Sequence, residues 1–559
     1  MNMNMNMNIA EEKERLSQQK MLDSILHEPK PTEMLTVYFS DYGSGDHNYG
    51  IYCALVPIQQ KKEVLSNYTW DLSIGSGVPG SCVYYDEGVE VPEYHRFGSD
   101  NGVEPLVICR DFNGIKDDYQ EISEEFRLFH NLYHDSTNNR YIKIDDDGNE
   151  STVIENNSNS IQIRSKELKQ FLAVKEMFLS IQFDCREHSR FSEEELSLDG
   201  DELSEEKELH IWTLAYGDFG GIGEHQAFSR LLGKKLIKPV PKSKSGLYGF
   251  TKEEPKKFVD FIIDSDEVGD DVSYNSNPDF LANLFGANPE APNYLTAVHF
   301  KKEVLDKYYG KPSKYSVSDS NLSCGSLWGL QIDNHHDGKI CVWLGDLGRD
   351  LPYEEQLYWR SFNVAPSGGV SETYYKRQIM AQFTDSDRLE HVFKSKYSEL
   401  QKISIEHLGW DLLLPLNDED IHHFECLRIP STNEQRDFDD LVLGLTKVLI
   451  DSLNEKQLNT FIEKQLRGEI KGGISRLETV LKNNSIEEYE NHIQFLRKLQ
   501  NLRSSSSAHR KGSNYKKIAI ELEIGNKDLI TVFGGILAKS VDLLDFFIEV
   551  CSSKRLKKS

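Results

Sequence analysis

The chain has 559 residues, 38% hydrophobic and 10% aromatic, with a formal net charge of −27. That apolar content is enough for several cores, so bulk disorder is excluded, and at roughly 100–200 residues per domain the length predicts three or four domains. So acidic a surface repels nucleic acid and anionic membrane over most of its extent, no apolar run is long enough to span a bilayer, and eight cysteines without a CxxC pair fit a reducing cytoplasm rather than a disulfide framework.

The opening Met-Asn alternation carries neither a basic start nor an apolar stretch, so it reads as a disordered tail rather than a signal peptide. Residues 1–33 form a disordered or helical lead-in that Pro29 and Pro31 stop. From Met34 the pattern turns to strands: 35–39 and 49–56, separated by turn formers at 41–47, then 89–91 and 105–110. A short helix is predicted over 122–134, a hairpin over 140–144 and 151–154, and an amphipathic helix over 166–183. Residues 34–185 read as one α+β domain. The run at 192–208 is dominated by Glu, Asp and Ser, and 186–208 reads as an acidic linker.

A second α+β domain is expected over 209–430. Strands are predicted at 209–216, 294–300, 326–332 and 339–344, and helices at 301–309 and 371–383. From residue 434 the texture is helical to residue 559. Phe438, Leu441, Leu445, Val448, Leu449 and Leu453 mark one stripe, and three more follow over 470–481, 489–502 and 529–548 at spacings of three and four. Four such stripes with short connections predict a helical bundle. The fold class is therefore α+β, with a mixed N-terminal region of two sub-domains followed by an all-α C-terminal bundle.

The bundle differs from the rest in charge. Residues 434–559 hold 21 Lys and Arg against 18 Asp and Glu, so the acidity belongs to the first 433 residues. Between 497 and 520 stand Arg497, Lys498, Arg503, Arg510, Lys511, Lys516 and Lys517, with no acidic residue among them. A cationic, hydroxyl-rich segment at the end of a helix, here four serines after Arg503, suits an anion such as RNA phosphate.

Arg503, five intervening residues and His509 resemble the Arg-x(4–6)-His motif of HEPN-type domains, near the end of a helix in a small bundle. The resemblance covers about the last 125 residues. It implies a metal-independent endoribonuclease of toxin-like or antiviral-defence type, acting as a homodimer through the bundle, with Arg503 and His509 catalytic. Arg497, Lys498, Arg510, Lys511, Lys516 and Lys517 would then bind RNA. The chemistry is coherent: cleaving RNA with its own 2′-hydroxyl needs an imidazole to move protons near pH 7 and a guanidinium to steady charge on the phosphorus. HEPN motifs often carry Asn or His directly after the arginine, where this chain has Ser504. The alternative function is a non-catalytic interaction protein whose helical domain dimerises or binds a partner, with Arg503 and His509 satisfying helix-end carbonyls.

Other constellations read as structural. Arg127 and His134 repeat the motif's spacing inside the mixed region. His130 and His134 share a face if 122–134 is helical, but no third metal ligand accompanies them. His335-His336 and His422-His423 are adjacent pairs whose rings point apart, so they make poor chelators. Gly217 to Gly223 lacks the spacing of a phosphate loop. The segment 344–360, with Asp346, Arg349, Asp350, Glu354, Glu355 and Arg360, follows an apolar strand. It reads as an ion-paired solvated loop or as a second site. No cofactor and no metal is expected; the expected partners are RNA and a second copy of the chain, with no membrane and a cytoplasmic location.

Overall fold

The computed structural model describes residues 2–42, 45–72, 79–97, 102–198, 202–219, 225–252, 255–336, 338–382, 384, 386–506, 520–521, 527–553 and 556, leaving aside the side chains of 2–8, 82, 505 and 506. It divides into two units, Met1–Pro255 and Lys256–Ser559. Antiparallel sheets fill the N-terminal part and helices the C-terminal part, so the α+β class holds. No described helix is long and apolar enough to cross a membrane.

The first unit is organised by a ten-stranded antiparallel sheet. Its centre is the strand Met177–Ser189, paired on one side with His47–Pro57 and on the other with Ala227–Ile237. This revises two sequence expectations. The helix expected over 166–183 ends at Lys175, where Glu176 adopts a left-handed backbone (φ 53°) and its N–H bonds back to Leu172. The residues beyond it are strand: Met177, Phe178 and Ile181 continue the helical spacing of the segment before them, while Leu179, Ile181, Phe183 and Cys185 alternate with Ser180, Gln182 and Asp184 as a strand does. The expected boundary at 185/186 falls inside this strand, so 34–185 does not close on itself. The acidic stretch is built in: Ser192 and Glu195 form a capping box on the turn Glu193–Leu196, and Leu203–Lys207 is the sheet's edge strand. Charges on an edge strand deter pairing with a second chain.

The lead-in is helical too, as Asn2–Leu16 and Gln19–Leu26, which replaces the disordered tail expected from the Met-Asn repeat. It is tied down by chemistry: the buried Lys235 ammonium donates to the carbonyls of Ile25 (3.0 Å) and His27 (2.6 Å). Cations are favoured at a helix C-terminus, where carbonyls lack partners. The helix expected over 122–134 shortens to Glu124–Phe129, and His134 lies in the strand Tyr133–Asp135 stacked on Tyr141. His130 is buried with Nε2–H donating to the Glu167 carbonyl at 2.9 Å. The two rings therefore do not share a helix face.

The second unit contains a small sheet in the order Lys339–Trp343, Ala297–Lys301, Asn363–Val364 and a three-stranded meander over Tyr315–Val317, Asn321–Cys324 and Trp328–Gln331. Phe261, Phe300, Tyr308 and Trp359 form its aromatic core. The helical region follows. All four predicted stripes are helices, over Gln435–Thr446, Gly473–Asn483, Tyr489–Ser506 and Leu529–Ser552. Their core is not theirs alone: Phe393, Tyr397 and Leu400 of the long helix Leu389–Leu408 pack into it, so the helical region begins about 45 residues before the expected start at 434.

Candidate functional site

Arg503 stands in the last turn of the Tyr489–Ser506 helix, where the sequence places it. Its Nη1 donates to Asp451 Oδ2 at 2.6 Å. Asp451 closes a wide helical turn, Lys447–Asp451, that continues the helix Gln435–Thr446. The Ser452 N–H reaches the Lys447 carbonyl five residues back, and such bulges recur at functional sites because they redirect side chains from the helix register. Here the turn aims Lys447 and Asp451 at different partners. Lys447 Nζ donates to Asp420 Oδ1 at 2.5 Å, and His423 Nε2 lies 4.0 Å from the same oxygen. The His422 and His423 rings lie 3.9 Å apart, on the short helix His422–Glu425.

Arg503, Lys447, His423, His422, Asp420 and Asp451 thus make one polar cluster from three segments of the chain. Burial lowers the His423 pKa below that of a free imidazole, and the positive charges of Lys447 and Arg503, together with His422, push the same way against Asp420. At neutral pH that ring is uncharged and able to accept a proton. Two cations beside a neutral imidazole and two carboxylates can hold an anion and move a proton in the same place.

Of the other residues expected here, Arg497 pairs with Glu478 (2.5 Å) and Lys498 with Glu521 (3.1 Å). His509, Arg510, Lys511, Lys516 and Lys517 lie outside the described residues. The described part of the basic strip is therefore neutralised, each cation by one carboxylate. Lys498 also lines a groove of about 310 Å³ between the Tyr489–Ser506 and Leu529–Ser552 helices, with His492, Phe495, Leu502 and Asp542.

A second polar centre lies in the mixed part of this unit. Asp333, fully buried, accepts from the Ser371 amide (2.6 Å) and hydroxyl (2.7 Å), which anchors the start of the helix Glu372–Gln378. Asp333 bridges Cys341, itself fully buried, through the backbone, and His336 Nε2 lies 3.2 Å from Asp333 Oδ2. One ligand atom from each of these three residues lies within 4.8 Å of the others. The adjacent His335 turns the other way. Its nitrogens lie 3.7 Å from Asp319 and from Asp387, without hydrogen-bond geometry. The sequence argument that neighbouring histidines diverge holds for this pair; what spacing alone misses is that the fold supplies each ring with separate acidic company.

Residues 344–360 are not a solvated loop but two helices, Leu344–Asp350 and Tyr353–Arg360. Their charges are spent on the scaffold. Asp346 is buried, which raises its pKa, and it takes the Tyr294 hydroxyl at 2.8 Å and Arg349 at 2.9 Å. Glu355 is held by Lys307 (2.7 Å) and Tyr308 (2.5 Å), and Trp359 Nε1 donates to the same tyrosine hydroxyl. Gly348 shows how tight the seating is: a Cβ there would lie 1.9 Å from the Ser276 carbonyl oxygen.

Against known proteins, no family model matches this chain, nor does any curated protein or solved structure.

Proposed function

We propose that the helical region is a metal-independent RNA-cleaving effector domain in which Arg503 binds the scissile phosphate and His509 transfers protons, with Lys447 and His423 completing the site. The observation that carries this reading is the convergence of Arg503 with Lys447 and an uncharged imidazole, His423, from three separate segments. The likeness of Arg503-x(5)-His509 to the HEPN motif supports it. A neutral imidazole takes the 2′-hydroxyl proton as that oxygen attacks phosphorus, and the guanidinium stabilises charge on the phosphoryl oxygens. The 5′-oxygen then leaves with a proton, and the products end in a 2′,3′-cyclic phosphate and a 5′-hydroxyl. Homodimerisation through the bundle would bring two such sites together, with the acidic first 433 residues as the sensing or restraining part.

The test is cleavage of single-stranded RNA by the full chain in EDTA, read as cyclic-phosphate ends. Arg503→Ala and His509→Ala are each expected to lower the rate by about 10²-fold or more, and His423→Ala by a smaller factor. Equal cleavage by wild type and both of the first two variants would refute the proposal.

A second reading, a non-catalytic domain that dimerises or binds a partner, is favoured by the pairing of Arg497, Lys498 and Arg503 with carboxylates and by the part-apolar groove beside Lys498. It expects no RNA cleavage by any variant and a change in sedimentation when the groove is altered by Phe495→Glu.

A further inference from the structure

Asp333 and Cys341 sit directly opposite one another on antiparallel segments, joined by Asp333 N–H to Cys341 O (2.8 Å) and the reverse bond (3.2 Å). Directly opposite residues of an antiparallel pair put their side chains on the same face, so carboxylate and thiol meet. The connection between them carries His336 back over that face, with Nε2 3.2 Å from the carboxylate oxygen. That nitrogen is buried and has no hydrogen-bond partner, because the approach to Asp333 is off-angle. Among the described residues nothing hydrogen-bonds the Cys341 sulfur. An imidazole nitrogen, a carboxylate oxygen and a sulfur thus converge in the interior without satisfying one another.

We propose that Asp333, His336 and Cys341 form a binding site for a divalent, thiophilic transition-metal ion of the zinc class. Three arguments carry it. The donor set is that of zinc, which takes sulfur, imidazole nitrogen and carboxylate oxygen at about 2.0–2.3 Å and so places its ligands roughly 3.4–3.8 Å apart. The present spread, 3.2 Å for one pair and within 4.8 Å for all, closes to that by side-chain rotation of about an ångström. The charge also balances: a dication with one carboxylate and one thiolate is neutral, which removes the penalty of an unmatched buried ion. Finally, the geometry around Asp333 is fixed beforehand, because Ser371 holds both carboxylate oxygens and orients the lone pairs left for the ion. On binding, the Cys341 S–H bond breaks, its proton passes to solvent, and the sulfur's electron pair forms the metal–sulfur bond. Solvent takes the fourth position.

The experiment is a cobalt(II) titration of the purified full-length protein after removal of metal. The expected result is one equivalent bound, with a thiolate-to-cobalt charge-transfer band in the near ultraviolet and the visible bands of a tetrahedral site, all displaced by zinc. His336→Ala alters a partly exposed side chain at a turn and is expected to fold. It should weaken binding by at least about tenfold, as should Cys341→Ser, which must also remove the charge-transfer band. Far-ultraviolet circular dichroism shows that each variant is folded. The proposal is overturned if folded wild type binds no stoichiometric cobalt, if the charge-transfer band persists in Cys341→Ser, or if His336→Ala binds as wild type does.

Discussion

Replacing Asp451 by Asn removes one negative charge from Arg503 while keeping an oxygen that can accept its hydrogen bond. The pair is partly open, with side-chain exposures of 31% for Arg503 and 45% for Asp451, so its contribution to stability is of the order of 0–1 kcal/mol. An RNA phosphate can therefore displace Asp451 at small cost. With a carboxylate about 5 Å from a bound phosphate in a water-like dielectric, the repulsion is about 0.8 kcal/mol, or roughly fourfold in affinity. Asp451→Asn should therefore bind single-stranded RNA about fourfold more tightly, and the slope of log affinity against log salt should steepen by about 0.7, the value for one further cation engaged with a single strand. Fluorescence anisotropy with a labelled oligoribonucleotide, over about 50 to 200 mM salt, measures both. Adding Arg503→Ala to Asp451→Asn should erase the gain. An unchanged slope and affinity in Asp451→Asn would refute the idea that this carboxylate masks a phosphate-binding guanidinium. A loss of more than about 2 kcal/mol in urea unfolding would show the pair to be structural instead, beyond what a surface ion pair contributes.

Two further outcomes test the first unit. Lys234 is buried, and its ammonium meets Asp71 at 2.8 Å and the Val64 carbonyl at 3.0 Å, while Asp71 also accepts from Ser180 and Gln182 at 2.6 Å each. Lys234→Met leaves that carboxylate without a cation and should cost about 3–5 kcal/mol in urea unfolding, with much of the loss recovered in the double variant carrying Asp71→Asn; a cost below about 1 kcal/mol would contradict the reading. Burial lowers the His130 pKa to about 4, from an ordinary value of 6.5. The unfolded chain therefore binds the proton more readily between pH 6.5 and 4, and the stability of this unit is fully present above 6.5 and falls as the pH drops through that window, by roughly 1–3 kcal/mol from this ring. His130→Phe should flatten that dependence in denaturant titrations at pH 7.5 and 5, and an unaltered slope would contradict it.

The sequence was most legible where one face of an element meets solvent. The helices Gln435–Thr446, Gly473–Asn483 and Tyr489–Ser506 announce themselves by apolar residues every three or four positions, and Arg140–Ile144 with Glu150–Asn157 by the turn residues between them. The reading failed where both faces are covered. Met177–Ser189 lies inside a ten-stranded sheet and is buried on both faces over its first half. Met177, Phe178 and Ile181 continue the three-and-four spacing of the helix before it, which masks the alternation of Leu179, Ile181, Phe183 and Cys185 with Ser180, Gln182 and Asp184. The helix Leu389–Leu408 went unread, although Phe393, Tyr397 and Leu400 fill the helical core.

The site residues divide in the same way. The order of residues along the chain is enough to put Arg503 near the end of a helix in a basic segment, because helix propensity and net charge are summed over neighbours in sequence. It cannot supply Asp451, Lys447 and His423, which come from 52, 56 and 80 positions earlier, or join Asp333 and His336 to Cys341 across a strand pairing. Those meetings depend on which apolar faces bury against which, a many-body packing choice made over hundreds of residues. Local pattern thus set the composition of each element, and the packed chain alone decided which imidazole, carboxylate and thiol came to face one another.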